Sequence, residues 1–152
     1  MHIRIDDLTD PKIHKLLEEH LEHMRSLSPP ESVHALDLDA LRRPEITFWT
    51  IWSEDGALMG SGALKSLGDG QGEIKSMRTA EAHRGKGVGR AMLGHIVAEA
   101  RKRGFQRLSL ETGPAPGFAS ALRLYTRFGF TECGPFADYP EDPYSVFMTM
   151  KL

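Results

Sequence analysis

Arg84-Gly85-Lys86-Gly87-Val88-Gly89 is the stretch of this sequence that decides the fold, because it joins an extended segment to a helix. Glycine has no Cβ atom, so three glycines within six positions allow positive φ angles and let a ligand approach the backbone closely. The chain becomes helical from Val88, so the free N–H groups and the positive dipole end of the helix face the loop. Phosphate groups bind well at such a place. Arg84, Lys86 and Arg90 add cations that favour a pyrophosphate over a single carboxylate.

Two other glycine-rich loops can be excluded by their spacing. A Walker loop requires Ser or Thr directly after its lysine, whereas Gly87 follows Lys86. A dinucleotide fingerprint, Gly-x-Gly-x-x-Gly, requires a third glycine, and that position falls on Arg90 when counted from Gly85 and on Met92 when counted from Gly87. The pattern that remains is Arg-x-x-Gly-x-Gly followed by a helix.

This remaining pattern resembles the signature of the GNAT superfamily of N-acetyltransferases. The resemblance continues through the strand-like segment 73–79, the strand-like segment 107–112 and residues 121–130, which read Ala-x-x-x-Tyr-x-x-x-Gly-Phe. The order and spacing over residues 72–133 are similar to those of the family, and residues 136–148 resemble its uncharacterised bacterial YsnE-like branch. The resemblance implies an α/β (α+β) single-domain GNAT fold, with a mixed central sheet of about six to seven strands flanked by about four helices.

Hydrophobic periodicity and turn residues predict an alternation of strands and helices. Asp10 is expected to cap the first helix, with Pro11 in its first turn, and Gly104 to end the long helix that follows the glycine loop. Strands are predicted at residues 2–5, 47–53, 57–66, 73–79 and 107–112 with two more at the end, and helices at 10–25, 36–41, 87–103 and around Tyr125.

Length and composition predict one domain spanning residues 1–152. With 40% hydrophobic residues, no apolar run of membrane-spanning length and no signal-peptide pattern, the chain is predicted to be cytoplasmic and to have no membrane partner. Its net charge of −2 argues against nucleic acid as a partner. The single Cys133 cannot form an internal disulfide and is expected to be a packed thiol, and no Cys/His spacing predicts a metal site.

The family resemblance implies acetyl-CoA as the acetyl-donor cosubstrate and indicates where it would bind. The pantetheine arm is expected to bond to the backbone of the strand at Met77, Arg78 and Thr79, as if adding a strand to an open edge. Phe118 stands where the family often has an asparagine that contacts the cofactor. The pyrophosphate is expected on the loop, with Arg84, Gly85, Lys86, Gly87, Val88, Gly89 and Arg90 as its binding residues.

Acetyl transfer to an amine requires a base, because a lysine-like amine with a pKa of ~10.4 must lose a proton before it attacks a thioester. Glu73 lies eleven positions before Arg84, an offset at which one branch of the family has a catalytic glutamate. The alternative for Glu73 is an exposed strand carboxylate paired with Lys75. Glu111, at the end of the next strand, is a second candidate for the base, and a cap or ion pair is its alternative.

Tyr125 matches the family's tyrosine that donates a proton to the leaving thiolate. Its alternative is a core residue, because Ala121, Leu124, Tyr125 and Phe128 fall on one helical stripe. The two residues Glu73 and Tyr125 are therefore the predicted catalytic pair.

The acceptor is expected to bind between the first two helices and the late strands, where His20, His34, Glu111 and Tyr139 are the candidate contacts. His20 lies on an apolar helical face and could equally be a core histidine. The predicted function is transfer of an acetyl group to a primary amine of a small molecule by direct attack in a ternary complex. A peptide or protein N-acetyltransferase and a non-catalytic acyl-CoA-binding sensor are the alternatives, and the family resemblance makes a homodimer one option.

Overall fold

A mixed sheet of seven strands forms the centre of the computed structural model, which describes residues 1–34 and 37–152. Four α-helices flank the sheet in the described residues, as the sequence predicts. The strands are β1 (His2–Ile5), β2 (Ile46–Trp52), β3 (Leu58–Gly68), β4 (Gln71–Thr79), β5 (Arg107–Thr112), β6 (Thr131–Cys133) and β7 (Val146–Lys151). The helices are α1 (Pro11–Leu27), α2 (Leu38–Leu41), α3 (Val88–Lys102) and α4 (Ala119–Phe128). The predicted second helix begins at residue 36, which lies outside the described residues.

Local signals place the ends of helix α1 where the sequence predicts them. The Asp10 side chain accepts a hydrogen bond from Lys12 N at 2.9 Å, and Pro11 occupies the first turn. The helix runs two residues further than predicted, to Leu27, because Ser28 N still bonds to Met24 O at 3.1 Å. No helix in residues 1–34 and 37–152 is long and apolar enough to cross a membrane.

The two faces of the sheet have separate hydrophobic cores. Helices α3 and α4 cover one face, where Met92, Leu93 and Ile96 are almost fully buried. Helices α1 and α2 cover the other face, around Ile13 and Leu41. The strands are arranged in the order β1-β2-β3-β4-β5-β7-β6, and only β4 and β5 run parallel.

The parallel pair β4 and β5 separates before either strand ends. Pairing runs only from Gln71 opposite Arg107 to Ile74 opposite Leu110. Strand β4 continues to Thr79 and β5 to Thr112. The second half of β4 therefore has a free edge on this side, and a cleft opens through the sheet at that point.

A bulge in β4 changes which residues face each core. Ser76 has a φ of +55°, and the pairing with β3 shifts between Ser61 and Ala63. Ser61 Oγ donates a hydrogen bond to Ser76 O at 2.8 Å, which holds the bulge. Because one extra residue reverses the alternation of a strand, Ile74 and Met77, three positions apart, both pack against the α3 side. The sequence analysis did not predict this bulge.

The expectation of a packed Cys133 is wrong. Cys133 is exposed on β6, the last strand at that edge of the sheet. The short strand β6 has β7 on one side only, so little of the chain is available to cover the thiol.

Candidate active site

The cleft between β4 and β5 has a volume of about 580 Å³ and contains most of the predicted site residues. It brings together elements from both faces of the sheet, including α1, β4, the glycine loop, β5 and α4. Lining residues that the sequence analysis named are His20, His34, Glu73, Met77, Arg78, Thr79, Arg84, Gly85, Gly87, Val88, Gly89, Arg90, Glu111 and Tyr125. Of the predicted site residues, Lys86 and Tyr139 are not part of this lining.

One end of the cleft is the start of helix α3. The first backbone bond of the helix runs from Ala91 N to Gly87 O at 3.0 Å, so the N–H groups of Val88, Gly89 and Arg90 have no partner within the helix. Gly87 has a φ of +80°, and a Cβ atom placed there would meet nothing within 4 Å. The open backbone and the dipole of a fifteen-residue helix fit an anion.

Cations surround this helix start, as a polyphosphate requires. Arg84 and Arg90 line the cleft, whereas Lys86 turns aside, with its Nζ 3.3 Å from Nδ1 of His83. Helix α4 contributes Arg123 and Arg127, which the sequence analysis missed. Their spacing of four residues on the Tyr125 helix places both on one helical face and could have indicated them. The residues present therefore fit the phosphates of an acyl-CoA.

Glu73 is buried in the cleft wall and has two polar partners. Its Oε2 atom lies 3.1 Å from Lys75 Nζ and accepts a hydrogen bond from the Tyr139 hydroxyl at 2.5 Å. The alternative that the sequence left open was an exposed carboxylate paired with Lys75. The pairing is present, but only 2% of Glu73 is exposed.

Glu111 is the less strongly paired carboxylate of the cleft. Burial raises the pKa of Glu111 above its usual range. Its nearest ionic partner is His34, whose Nδ1 atom is 3.6 Å from Oε1 of Glu111, beyond a normal hydrogen bond. That His34 nitrogen is buried, with no hydrogen-bond partner among the described residues. A neighbouring group that donates or accepts a proton would complete the hydrogen bonding of Glu111 and His34.

Tyr125 lies in helix α4, partly in the core and partly in the cleft wall. Its ring packs edge-on against Phe130 with the centroids 5.9 Å apart, and 6% of the residue is exposed. Burial raises the pKa of the Tyr125 hydroxyl, so the group stays protonated at neutral pH. The core interpretation is confirmed, and the role of the Tyr125 hydroxyl as a proton donor stays a prediction for a residue that also lines the cleft.

Tyr139 supports the cleft from behind. Its hydroxyl accepts a hydrogen bond from Lys75 Nζ at 2.8 Å and donates to Glu73, while its ring meets His34 edge-on at 5.0 Å. Ser32 Oγ bonds to Asp142 at 2.5 Å and ties the segment after α1 to the segment between β6 and β7. These contacts join the segment after α1, the segment between β6 and β7, and the Glu73 wall of the cleft.

His20 lines the cleft rather than the core alone. Burial, followed by the nearby charges of Arg78 and His23, lowers the pKa of His20 to about 4, so the ring is neutral at neutral pH. Among the described residues there is no group of three or more His, Cys, Asp or Glu side chains that could hold a metal ion.

A mixed sheet that opens between two parallel strands, with an anion-binding helix start in the opening, defines an acyl-CoA-dependent acyltransferase. The chain belongs to the GNAT family of acetyltransferases, whose model matches residues 13–130. It is 59% identical over 152 residues to the uncharacterized N-acetyltransferase YsnE of Bacillus subtilis, covering 100% of both chains. It is 49% identical over 150 residues to the uncharacterized N-acetyltransferase YedL of Escherichia coli, covering 99% of this chain and 94% of YedL.

A solved structure shares the whole architecture. A candidate acyl-CoA N-acyltransferase from Klebsiella pneumoniae superposes with a TM-score of 0.80 at 30% identity, covering 99% of this chain and 97% of that one. The protein is therefore an N-acetyltransferase that binds an acyl-CoA.

Proposed function

We propose that the protein, as one domain of residues 1–152, transfers an acetyl group from acetyl-CoA to a primary amine of a small molecule by direct attack. The observation that supports this most strongly is the cleft itself. It joins a helix start suited to phosphates with two buried carboxylates, Glu73 and Glu111, and one protonated tyrosine, Tyr125. An acyl donor and an amine could meet there away from bulk water.

The donor is proposed to bind along β4 and at the glycine loop. The N–H groups of Val88, Gly89 and Arg90 would hold the pyrophosphate, with Arg84 as its cation. The free edge of β4 from Met77 to Thr79 would accept the pantetheine arm as an added strand. This leaves the thioester near the bulge, between the two separated strands.

Glu111 is the better supported base of the two carboxylates. A base works best when its pKa lies near the working pH, and burial moves the pKa of Glu111 in that direction. The Oε2 atom of Glu73 is already bonded to Lys75 and Tyr139, so a proton could reach that atom only by displacing a partner. We therefore assign Glu73 the task of fixing Lys75 and Tyr139, and Glu111 that of receiving the amine proton.

Tyr125 is proposed to protonate the leaving thiolate. Its raised pKa keeps the proton in place until a strong base forms beside it. Cys133 is exposed on the β6 edge, outside the cleft lining, so an acetyl-cysteine route has no support.

A small acceptor is favoured over a peptide because contacts link the segments beside the proposed acceptor side of the cleft. The Ser32–Asp142 bond and the His34–Tyr139 contact join the segments on either side of that opening. A peptide substrate would need an open groove there. A non-catalytic sensor would have no need of a buried carboxylate with a raised pKa beside the donor site.

The proposal is tested by following free-thiol release from acetyl-CoA with a panel of amines, amino acids and peptides. For Glu111→Gln we expect kcat to fall by about two orders of magnitude or more, the usual contribution of a general base. For Tyr125→Phe we expect a smaller fall with unchanged acetyl-CoA affinity. Acetyl-CoA binding without amine-dependent thiol release in the wild type would contradict a transferase and favour the sensor.

The pH profile separates the two carboxylates. A base must be deprotonated, so kcat/KM rises with pH through the pKa of Glu111, and the acceptor amine adds a second limb at higher pH. The lower limb should disappear in Glu111→Gln and remain in Glu73→Gln. The reverse result would assign the base to Glu73.

A further inference from the structure

Arg78 is a charged side chain in the cleft wall that lacks a partner. Its Nε atom is buried and has no hydrogen bond among the described residues. Within the same residues, no carboxylate oxygen lies within 4.0 Å of its nitrogen atoms. Leaving a buried donor of a charged group unpaired is costly, so an acceptor oxygen from a ligand would complete this site.

The bulge at Ser76 gives Arg78 its position. Ile74 and Met77 face the α3 side, so Lys75 and Arg78 both face the α1 side of the sheet. Without the bulge, Arg78 would point into the α3 core. Its charge accordingly acts on His20 and His23 of helix α1, where it contributes to lowering the pKa of each ring. Arg78 thus faces the acceptor side.

The positive charge of Arg78 is not balanced by an ion pair with a nearby acidic residue of the described part of the chain. Glu19 and Glu81 are near enough for their charges to act on Arg78, but neither forms an ion pair with it. Arg84 adds a second cation nearby. An anionic group entering from the α1 side therefore meets a guanidinium that has no ion pair among the described residues.

The deeper part of the cleft has the opposite charge. Glu73 pairs with Lys75 at 3.1 Å, whereas the ionic contact of Glu111 among the described residues is His34 at 3.6 Å, with the Ser145 side chain and the charge of Lys75 also lowering its pKa. A buried carboxylate of this kind attracts an amine. The acceptor side consequently carries a negative end at Glu111 and a positive end at Arg78.

The strand register places Glu111 and Arg78 on the same side of the sheet. Glu111 follows Leu110, the last residue of β5 that pairs with β4, and would lie level with Lys75. Lys75 and Arg78 are three residues apart, about 10 Å at the rise of an extended strand and less across a bulge. An acceptor that carries both an amine and a carboxylate could contact both ends.

From this arrangement we infer that the acceptor is an amino acid, whose carboxylate binds Arg78 while its amine faces Glu111. The inference rests on the proposed function and names its substrate class. Arg78 then acts as a specificity-determining residue that selects amines carrying a negative charge.

The test compares each amino acid with its own carboxamide as acceptors in the thiol-release assay. The amide has the same size and the same amine but no negative charge. The amine of the amide loses a proton more easily than the amine of the amino acid, so the amide is intrinsically the more reactive acceptor. A preference for the amino acid must therefore come from the protein. We expect the wild type to favour the preferred amino acid over its amide by at least tenfold in kcat/KM.

Arg78→Gln should remove that preference. We expect kcat/KM for the amino acid to fall by at least tenfold more than kcat/KM for the amide. Arg78→Lys should retain part of the preference. Arg25→Gln, which removes an exposed arginine of helix α1 outside the cleft lining, is the matched charge-loss control and should keep the wild-type ratio.

Three outcomes would overturn the inference. Equal or better turnover of the amides by the wild type would exclude carboxylate recognition while leaving the transferase intact. A rise in the acetyl-CoA KM of Arg78→Gln, with the same ratio of amino acid to amide, would assign Arg78 to the donor. Donor binding without thiol release for any amine would overturn the proposed function as well.

Discussion

Gly87 adopts a backbone conformation that favours glycine, and it leaves space for a ligand beside the helix start. Its φ of +80° is strained for any residue with a Cβ atom, and the space beside it is open. Gly89 is different, because a Cβ atom there would lie 3.3 Å from Leu124 Cδ2 and would require that side chain to shift. Both positions expose backbone N–H groups, so substitutions should act on donor affinity.

Gly104 offers a matched control for Gly87. It has a φ of +84°, open space around its Cβ position, and lies just past the other end of helix α3. We predict that Gly87→Leu and Gly104→Leu each lose about 1–2 kcal/mol of stability from the positive φ. Only Gly87→Leu should weaken acetyl-CoA binding, by at least tenfold, as measured by calorimetry. Wild-type affinity in Gly87→Leu would show that the loop does not bind the donor.

At the scale of single elements, strand β4 decides what the cleft can do. Its first half pairs with both neighbours, and its second half is free on one edge after Ile74. The Ser76 bulge then turns Arg78 toward helix α1. In the proposed function the strand therefore supplies a binding edge for the donor and a charged side chain for the acceptor.

The bulge depends on one buried hydroxyl. Ser61→Ala removes the 2.8 Å bond to Ser76 O and should cost about 1 kcal/mol of stability. We also predict a fall in kcat/KM of about tenfold, because β4 would no longer hold Met77 on the α3 side of the sheet and Arg78 on the α1 side.

Thr50→Val is the control for this prediction. Thr50 is a buried hydroxyl residue of β2, directly opposite Ser61, and its Oγ1 donates to Asp6 at 2.8 Å outside the cleft. Denaturant unfolding should show a stability loss at least as large as that of Ser61→Ala, with kcat/KM unchanged. Equal activity losses in the two variants would mean that general destabilisation, not the bulge, explains the effect.

At the scale of the whole molecule, the packing of helix α1 over the cleft makes stability depend on pH. His20 has a pKa of about 4 in the folded protein and an ordinary value of 6.5 when unfolded, mainly because of burial. Between these values the unfolded chain binds a proton that the folded chain does not. The free energy of unfolding should therefore fall as the pH drops from about 6.5 to about 4.

We predict that His20→Gln flattens this dependence. Between pH 6.5 and pH 4, His20 should change the free energy of unfolding by on the order of 2–3 kcal/mol. Urea unfolding of the wild type and the variant across that pH range measures it. Parallel curves for the two proteins would contradict the assignment of the slope to His20.

The local parts of the structure could be predicted from the sequence because their causes are local. Asp10 and Pro11 start helix α1. The glycine loop precedes the first turn of helix α3, and Gly104 lies just past the end of that helix. Each of these depends on φ preferences and hydrogen bonds between residues that are a few positions apart. The same is true of the anion site, which consists of a loop and the helix that follows it.

Tertiary structure alone decided how the acceptor end is built. Tyr139 bonds to Glu73 across 66 positions of sequence, and Ser32 bonds to Asp142 across 110. The position of Glu111 depends on where β4 and β5 part, and the turn of Arg78 toward helix α1 depends on the Ser76 bulge. Such contacts form only when distant segments pack together, and no short pattern of residues records them. The sequence by itself therefore determined the family and the loop of the proposed donor site, whereas the arrangement of the proposed acceptor side depends on long-range packing.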